Sequence, residues 1–440
     1  MKLYHNIRKL YTPLGFSAVR GRAMHDVHEV DCAAIIVQDD GSIEYAGEES
    51  GAPLSKITQK IDCRCLVALP GFVDSHTHCV FAGERSLEFA MRAEGQSYQE
   101  IAATGGGIRS SVEQVRAASL EEIVSYSRPF VERALKLGTT TMEIKSGYGL
   151  STAEEQKLLR AAQHFGPITN YELRITKNKG DELQNSGSSI RNSQFVIRNL
   201  PEIVLTYLGA HAVPSGISQH DYVDLVINQQ LPTLCHEAEF CDVFMDEGYF
   251  SLEETLRICK RAKELGMKIK LHADELAETN GAATAVELGA FSADHLLKVN
   301  DDGIRSLAAS EHTVATLLPI TALSLRAEYA PARKLLNAGC AVAIATDCNP
   351  GSAMSENMQF VITLAVIGMQ MSPTEALTAA TLNGAAALDR ARTHGSLERN
   401  KVADFVLYDI PRLDYLPYHI AVSDIVSIIK RGEIASGEIL

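Results

Sequence analysis

Basic residues are the scarcer charge in this chain. Its 440 residues include 41 Lys and Arg against 55 Asp and Glu, a formal net charge of −14 at pH 7, and they contain no Lys- or Arg-rich tract. Phosphate backbones and acidic lipid surfaces attract basic proteins. The charge therefore argues against a nucleic-acid partner and against an acidic membrane as a partner.

Long hydrophobic runs are also lacking. No apolar segment approaches the roughly 20 residues that a membrane-spanning helix needs, and the start, MKLYHNIRKLYTPLG, has no continuous apolar stretch of the signal-peptide kind. The nine cysteines are scattered without a CxxC pair. We therefore expect reduced thiols, no membrane association and a cytoplasmic location.

Both ends of the chain show short segments typical of strands and tight turns. Residues 33–37 (AAIIV) precede an Asp-Asp-Gly turn, and residues 403–408 and 425–429 repeat the style near the other end. We predict that residues 1–65 and 403–440 form one composite domain built on a small β-sheet. This domain would bracket the middle of the chain.

The middle, residues 66–402, alternates apolar strand-like runs with helical segments. The eight runs are residues 66–74, 139–145, 203–209, 243–246, 268–272, 291–294, 313–318 and 342–346. Eight strand–helix units predict an α/β fold, a (β/α)8 TIM-like barrel, with a doubly wound open sheet as the alternative. Residues 174–199 are polar without core periodicity, which predicts a solvated insertion.

Polar side chains follow most of these runs, where the active site of such a barrel forms. The histidines and the carboxylate among them are His76, His78, His211, His272, His295 and Asp347. Imidazole nitrogens and carboxylate oxygens are the ligand mixture of catalytic zinc and iron sites. We predict His76, His78, His272 and Asp347 as the metal ligands, and at this point His211 and His295 stay open as further ligands.

A metal ion held in this way activates water, so the pattern indicates metal-assisted hydrolysis. Asp347 could also accept the proton of that water, its alternative role being a helix N-cap. Arg85 could hold a substrate carboxylate by a pair of hydrogen bonds, or it could be an exposed residue at a helix entry. Asn349, Gly351 and Ser352 form a predicted turn whose amides could bind a second polar group.

Longer motifs resemble the amidohydrolase superfamily and, within it, the imidazolonepropionase family. In chain order they are PGFVDSHTHCVFAGERSLEF, ATGGGI, EIKSGYGL, YLGAHAVP, KLHADE, ELGAFSADHL, LLP, YAPAR and ATDCNPGS. The resemblance implies a metal-dependent (β/α)8 hydrolase barrel and a small β-sandwich made by both chain ends. It also implies hydrolytic ring opening of 4-imidazolone-5-propanoate to N-formimidoyl-L-glutamate, a step of histidine degradation.

The resemblance implies a role for each matching residue. It implies one zinc or iron ion bound by His76, His78, His272 and Asp347. It implies substrate contacts from Arg85, Tyr148, His211, Glu275, Asn349, Gly351 and Ser352. Catalytic roles fall to Asp347, to His295 (which would polarise the carbonyl or place the water) and to Glu275, which would hydrogen-bond the ring. Members of the family commonly form dimers, so a homodimer is implied.

Four residues near the motifs need separate interpretation. Binuclear members of the superfamily carboxylate a strand-end lysine, but Lys145 lies in a KSGYG motif that resembles the mononuclear group, which implies one metal. Cys348 stands where the motif would have an aromatic residue, so it could alter packing, ligate softly or be oxidised. We assign Asp294 a plain strand-end role and Glu247 a surface position.

Two other functions stay open on the sequence alone. The chain could be another cyclic amidohydrolase or an aminopurine-type deaminase, in which case a nucleobase would offer Arg85 no carboxylate. It could also be a metal-storing or ligand-binding barrel without catalysis, which would fill every coordination position with protein groups.

Overall fold

The structure, a computed structural model, describes residues 1–96, 106–166 and 200–438. The predicted insertion at 174–199 lies outside the described residues. The strands are β1 Lys2–Thr12, β2 His28–Val37, β3 Ile43–Glu48, β4 Gln59–Asp62, β5 Val67–Pro70, β6 Phe72–Asp74, β7 Thr139–Lys145, β8 Glu202–Ala210, β9 Phe240–Met245, β10 Lys268–Ala273, β11 Ser292–His295, β12 Val314–Leu317, β13 Val342–Ile344, β14 Phe405–Tyr408, β15 Ile425–Lys430 and β16 Glu433–Gly437.

Helices cover most of the connections between the barrel strands. The described α-helices are Ser86–Ala93, Ile108–Ala117, Leu120–Lys136, Thr152–Gln163, Gln219–Leu225, Leu231–Leu234, Leu252–Glu264, Gly281–Glu287, Asp301–Ala309, Pro319–Leu325, Ala332–Ala338, Met358–Ile367, Pro373–Ala380, Leu382–Ala387 and Tyr415–Tyr418. Short 3-10 turns occupy Gly21–His25 and Glu49–Gly51, and a π-helical turn occupies Val226–Gln230. Among the helices of the described ranges, none combines the length and the apolarity that a bilayer crossing requires.

Strands β6 to β13 form one parallel sheet in chain order. The first and last strands meet beyond their ends, where Thr77 bridges Cys348 in parallel fashion. The amide of Asp347 donates to the carbonyl oxygen of His76 at 2.9 Å, and the amide of His78 donates to that of Cys348, also at 2.9 Å. The predicted (β/α)8 barrel is therefore confirmed, and the chain does not adopt the doubly wound alternative.

The side chains of each barrel strand alternate between the helix-facing outside of the barrel and its inside. In β7, Met142 and Ile144 join an apolar cluster that includes Ile123 and Val131 of the helix Leu120–Lys136. Glu143 and Lys145 lie between them in sequence and point to the other face, because successive strand residues alternate. The outer face of the barrel wall is thus apolar, and the inner face carries charge.

The two chain ends form the second sheet, in the order β16-β15-β14-β5-β1-β2-β3 with β4 beside β1. Its core includes Tyr4, Ile7, Ile35, Phe405 and Ile429. The predicted β-sandwich-like domain from both ends is therefore present. The domain limits 1–65, 66–402 and 403–440 stay predictions.

The interpretation of residues 66–74 as a single strand is wrong. β5 pairs with β1 and β14 in the terminal sheet, whereas β6 pairs with β7 in the barrel. The chain changes sheets at Gly71, whose amide donates to the carbonyl oxygen of Asp404 at 3.0 Å. A Cβ at this position would lie 2.2 Å from Thr140 Oγ1, so only glycine fits the crossing.

Candidate active site

A cavity of about 820 Å³ opens at the carboxyl ends of the barrel strands. The predicted site residues that line it are His78, Arg85, Tyr148, His211, His272, Glu275, His295, Asp347, Asn349, Gly351 and Ser352. The remaining one, His76, is fully buried beside them. The barrel therefore brings together all of the residues that the sequence predicts to bind metal, bind substrate or take part in catalysis.

The metal-binding atoms converge at the floor of this cavity. His76 Nε2 lies 3.3 Å from His78 Nε2, and Asp347 Oδ1 lies 3.6 Å from each of these nitrogens. Two overlapping sets have their donor atoms within 4.8 Å of one another, namely His76 with His78 and His272, and His76 with His295 and Asp347. His295 thus belongs to the donor cluster by geometry, whereas neither set among the described residues includes His211.

The backbone aims two of these side chains by adopting left-handed dihedrals. Asp347 has φ +53° and His295 has φ +75°, a region that non-glycine residues enter at a cost and that often marks functional positions. Asp347 is fixed further by Thr321 Oγ1, which donates to Oδ2 at 2.5 Å. The N-cap alternative for Asp347 is wrong, because Asn357 caps the next helix, Met358–Ile367.

Two carboxylates from inside the barrel orient the metal-binding rings. Asp294 Oδ2 lies 2.6 Å from His76 Nδ1, and Asp242 Oδ2 lies 3.0 Å from His272 Nδ1. A carboxylate on one ring nitrogen fixes the tautomer and presents the other nitrogen to a metal ion. The plain strand-end role assigned to Asp294 is therefore wrong, and the sequence analysis missed Asp242.

The histidines are held mostly in the neutral form that binds metals. Burial lowers the pKa of His76, His78 and His295 well below the usual histidine value, and burial lowers the pKa of His211 to about 3. Burial also acts to lower the pKa of His272, but the neighbouring Asp242 carboxylate outweighs it and raises that pKa.

The donor set fits a divalent metal ion. Within the described residues, His272 Nε2 is buried and makes no hydrogen bond. A buried polar atom left in this way costs free energy, about 1–3 kcal/mol, unless a partner satisfies it. Coordination of a cation among these nitrogens and the Asp347 carboxylate would provide that partner.

Arg85 is buried beside the cavity, so the alternative of an exposed helix-entry residue is wrong. Its Nε and Nη2 donate to Glu88 Oε2 at 3.0 and 2.7 Å. A Cβ added to Gly351 would lie 2.4 Å from Arg85 Nη1. The guanidinium therefore rests against a glycine that leaves room for it, with its plane fixed by Glu88.

The turn after β13 differs from its prediction in one respect. The amides of Gly351 and Ser352 donate to Asn349 Oδ1 at 2.7 and 2.8 Å. These amides therefore hold the turn together and are not presented to a ligand. Arg92, which the sequence analysis missed, lines the cavity and donates through Nη2 to the carbonyl oxygen of Gly351 at 2.9 Å.

Glu275 is positioned by Asp246, which sequence analysis also missed. The Asp246 carboxylate accepts from the amides of Glu275, Leu276 and Ala277 at 2.8, 2.8 and 3.0 Å. Burial, reinforced by the charge of Asp347, raises the pKa of Glu275 to about 8. Its carboxyl group is therefore protonated near neutral pH and can donate a hydrogen bond. Glu247 is exposed, as expected.

Aromatic rings form one wall of the cavity. The His211 ring stacks on that of His78, with centroids 5.2 Å apart and planes at 19°, and His211 Nδ1 lies 3.0 Å from the carbonyl oxygen of Gly147. Tyr148 lies 5.4 Å from His211, centroid to centroid. Phe244 also lines this cavity and lies two residues after Asp242 on β9, a spacing that points both inward.

Lys145 lies below the donors in full burial. Its Nζ is 2.7 Å from Asp242 Oδ2 and 2.8 Å from Glu143 Oε2. Burial disfavours its charge, but the surrounding carboxylates, Asp242 foremost, outweigh burial and raise the pKa of the lysine. Lys145 is therefore an ammonium, whereas carboxylation of a lysine requires the neutral amine.

Cys348 packs inside the protein. It is fully buried in a cluster with Cys79, Val80, Phe81 and Tyr148. Burial raises the pKa of its thiol well above the usual value. The residue therefore acts as a small apolar side chain beside Asp347, and neither donor set found in the described ranges includes it.

Comparisons with known proteins identify the family of this chain. The sequence profile of the Amidohydrolase family matches residues 245–438. The imidazolonepropionase of Thermoanaerobacter pseudethanolicus is 41% identical over 97% of this chain and 96% of its own length. That of Syntrophobacter fumaroxidans is 42% identical over 98% of this chain and 96% of its own length, and that of Porphyromonas gingivalis is 39% identical over 99% and 97%.

Solved structures share the fold at low sequence identity. A triazine hydrolase from Arthrobacter aurescens superposes with a TM-score of 0.70 at 16% identity, covering 100% of this chain and 96% of that one. An adenosine deaminase from Xanthomonas campestris superposes with a TM-score of 0.59 at 16% identity, covering 98% and 92%. These likenesses concern architecture alone. The near-full-length relatives go further: this chain belongs to the imidazolonepropionase family of the amidohydrolases.

Proposed function

We infer that the chain hydrolyses a C–N bond of a cyclic amide, opening the ring of 4-imidazolone-5-propanoate to N-formimidoyl-L-glutamate in histidine degradation. Relatives about 40% identical over nearly the full length carry the name imidazolonepropionase. The observation that carries the inference is the convergence of His76, His78, His272 and Asp347 beside a buried arginine at the mouth of one barrel.

We assign one divalent metal ion, zinc or iron, to His76, His78, His272 and Asp347. Imidazole and carboxylate ligands suit both metals. When bound, such an ion polarises a carbonyl group and lowers the pKa of water from 15.7 toward about 7. The ammonium of Lys145, surrounded by carboxylates, supports a single metal, since a bridging carbamate would need that nitrogen uncharged.

Asp347 and His295 carry the proton chemistry in this proposal. Asp347 accepts a proton from the attacking water. Thr321 holds the Oδ2 atom of this carboxylate in place, and its Oδ1 atom faces the donor cluster. The water oxygen bonds to the ring carbonyl carbon, and neutral His295 donates a hydrogen bond to the carbonyl oxygen as charge develops there. Asp347 then returns the proton to the ring nitrogen as the C–N bond breaks.

The rest of the cavity holds the substrate. We assign the propionate to Arg85, whose plane Glu88 fixes, with Tyr148, His211, Asn349, Gly351 and Ser352 around the bound molecule. Glu275 hydrogen-bonds the imidazolone ring. Its Oε2 lies 3.5 Å from His295 Nε2, so ring binding and carbonyl polarisation occur side by side.

Substitution of Arg85 by alanine is expected to raise KM far more than it lowers kcat. A hydrogen bond to a charged group contributes about 1.5–3 kcal/mol, which corresponds to roughly 10- to 150-fold in binding. Steady-state kinetics with imidazolone propanoate measures both constants. The wild type is also expected to lose a similar factor with a substrate whose carboxylate is replaced by a neutral amide, whereas Arg85→Ala should not distinguish the two substrates.

An unchanged KM in Arg85→Ala would favour the rival functions, another cyclic amidohydrolase or an aminopurine-type deaminase. The neutral substrate shows whether a change in KM comes from the lost contact to the carboxylate or from a general disturbance of the cavity. If Arg85→Ala still preferred the charged substrate by the wild-type factor, the propionate would bind elsewhere.

Substitution of Asp246 by asparagine is expected to lower kcat by about 10²-fold, because displacement of a catalytic group by about 1 Å costs that much. The amide side chain cannot accept from three consecutive amides as the carboxylate does, so Glu275 loses its fixed position. Glu247→Gln is the matched control, since it neutralises the adjacent, exposed carboxylate. Equal kcat values for the two variants would contradict the role of Asp246.

We also propose a homodimer in the cytoplasm that acts on a small molecule and binds neither nucleic acid nor membrane. The family resemblance supports the dimer, and the excess of acidic residues supports the absence of a polyanionic partner.

A further inference from the structure

A layer of buried charge lies beneath the metal-binding atoms. It consists of Glu143 and Lys145 from β7, Asp242 from β9, Lys270 from β10 and Asp294 from β11, and the side chains of all five are 0% exposed. Charged side chains are almost never fully buried unless they are paired. The ring-opening steps above leave the two lysines of this layer without a role.

Lys145 is the cation that lies near both of the carboxylates that orient metal-binding histidines. Its Nζ lies 2.7 Å from Asp242 Oδ2, the atom that contacts His272 Nδ1 at 3.0 Å. The same nitrogen lies 3.8 Å from Asp294 Oδ2, the atom that contacts His76 Nδ1 at 2.6 Å. One ammonium thus stands behind both of the carboxylates that orient metal-binding rings.

Lys270 has different contacts within the same layer. Its Nζ donates to the carbonyl oxygen of Ser75 at 2.6 Å and lies 3.1 Å from Glu143 Oε1. It lies 3.9 Å from Asp294 Oδ2, about as far as Lys145 does, but no ion pair within the described residues joins it to Asp242. The two lysines therefore share burial and charge, but only Lys145 contacts both orienting carboxylates.

We propose that Lys145 is a positioning residue for the metal site. Through Asp242 it fixes the ring of His272. Together with Lys270 it holds Asp294, which fixes the ring of His76. Without the ammonium, Asp242 loses the cation nearest to it and Asp294 keeps only Lys270, so the two buried carboxylates are free to turn away from the rings. This movement removes the carboxylate contact at Nδ1 that presents Nε2 of each ring to the metal. This proposal rests on the metal site assigned above.

Zinc titration of the metal-free full-length protein tests this role. Zinc(II) is titrated in competition with a chromophoric chelator, which yields a Kd for the wild type, Lys145→Met and Lys270→Met. Loss of the carboxylate contact that orients a metal ligand weakens metal binding by about 10- to 100-fold. We expect a loss in this range for Lys145→Met, because Asp242 is no longer held against His272. For Lys270→Met we expect a smaller loss than for Lys145→Met, because Asp242 keeps its partner and Asp294 keeps Lys145.

If Lys145→Met does not fold, the double variant Lys145→Met with Glu143→Gln replaces it in the titration. The double variant removes one positive and one negative charge, so the net charge of the layer is unchanged. We expect the double variant to melt cooperatively without metal and still to bind zinc at least about 10-fold more weakly than the wild type. Wild-type affinity in the double variant would overturn the proposal, and so would equal weakening by the two single lysine variants. A wild type that binds no zinc or iron would instead contradict the proposed function.

Discussion

Substitution of Asp347 by asparagine is expected to reduce turnover of imidazolone propanoate by at least about 10³-fold. Loss of a positioned general base alone costs roughly 10²- to 10⁴-fold, and an amide cannot take the proton of the attacking water. The buried carboxylate is also the only anionic member of the two donor sets found among the described residues. Consumption of the imidazolone by purified, metal-loaded protein measures the effect.

Metal content separates the two roles of Asp347. A variant that keeps its metal and loses turnover has lost the base, whereas one that loses both has lost a ligand as well. Glu247→Gln is the control, because it neutralises an exposed carboxylate two residues beyond β9 that does not line the cavity. Near-normal turnover by Asp347→Asn would remove both of the roles assigned to this residue.

Removal of the metal is expected to bring turnover down to the uncatalysed background. Asp347, His295, Glu275 and Arg85 would remain, but nothing would lower the pKa of the attacking water toward neutrality. Dialysis against a chelator followed by assay measures the loss. Stepwise return of zinc or iron(II) should restore turnover, and the turnover per bound ion shows which of the two metals supports catalysis better.

Elemental analysis on the same samples distinguishes catalysis from storage. A metal-storing barrel would bind zinc or iron and show no turnover in any metal state. Full activity of the chelated protein, with metal absent by analysis, would exclude metal-assisted hydrolysis altogether. One bound ion per chain at maximal turnover would agree with the mononuclear assignment, and two would contradict it.

Much of the barrel is predictable because its strands leave a strong signal. Residues 139–145 match β7 residue for residue, and the other later runs overlap β8 to β13. The histidines and Asp347 were found because chemistry at one end of parallel strands follows from topology alone. Residues 66–74 were predicted as one strand because the apolar run continues without interruption from the terminal sheet into the barrel. Within this run, the Pro70-Gly71 step was the only sign that one strand ends and another begins.

The supporting residues were harder to find for a physical reason. Asp242 lies within an apolar strand, and nothing near it in sequence indicates that its partners are Lys145 and His272 on other strands. Asp246 acts on the amides of residues 275–277, again from a separate strand. Contacts of this kind depend on which strands become neighbours, and on their register, when the barrel closes. A single sequence does not contain a local pattern that predicts these contacts.

The crossing at Gly71 bears on how the protein is made. The segment that leads to His76 begins in β5, and β5 lies between β1, the first strand of the chain, and β14, Phe405–Tyr408. During synthesis β14 emerges only after the whole barrel has left the ribosome. The first two ligands are therefore tethered to a strand that lacks one neighbour until Phe405–Tyr408 has been made, so the metal site reaches its final form only after every barrel strand has been synthesised.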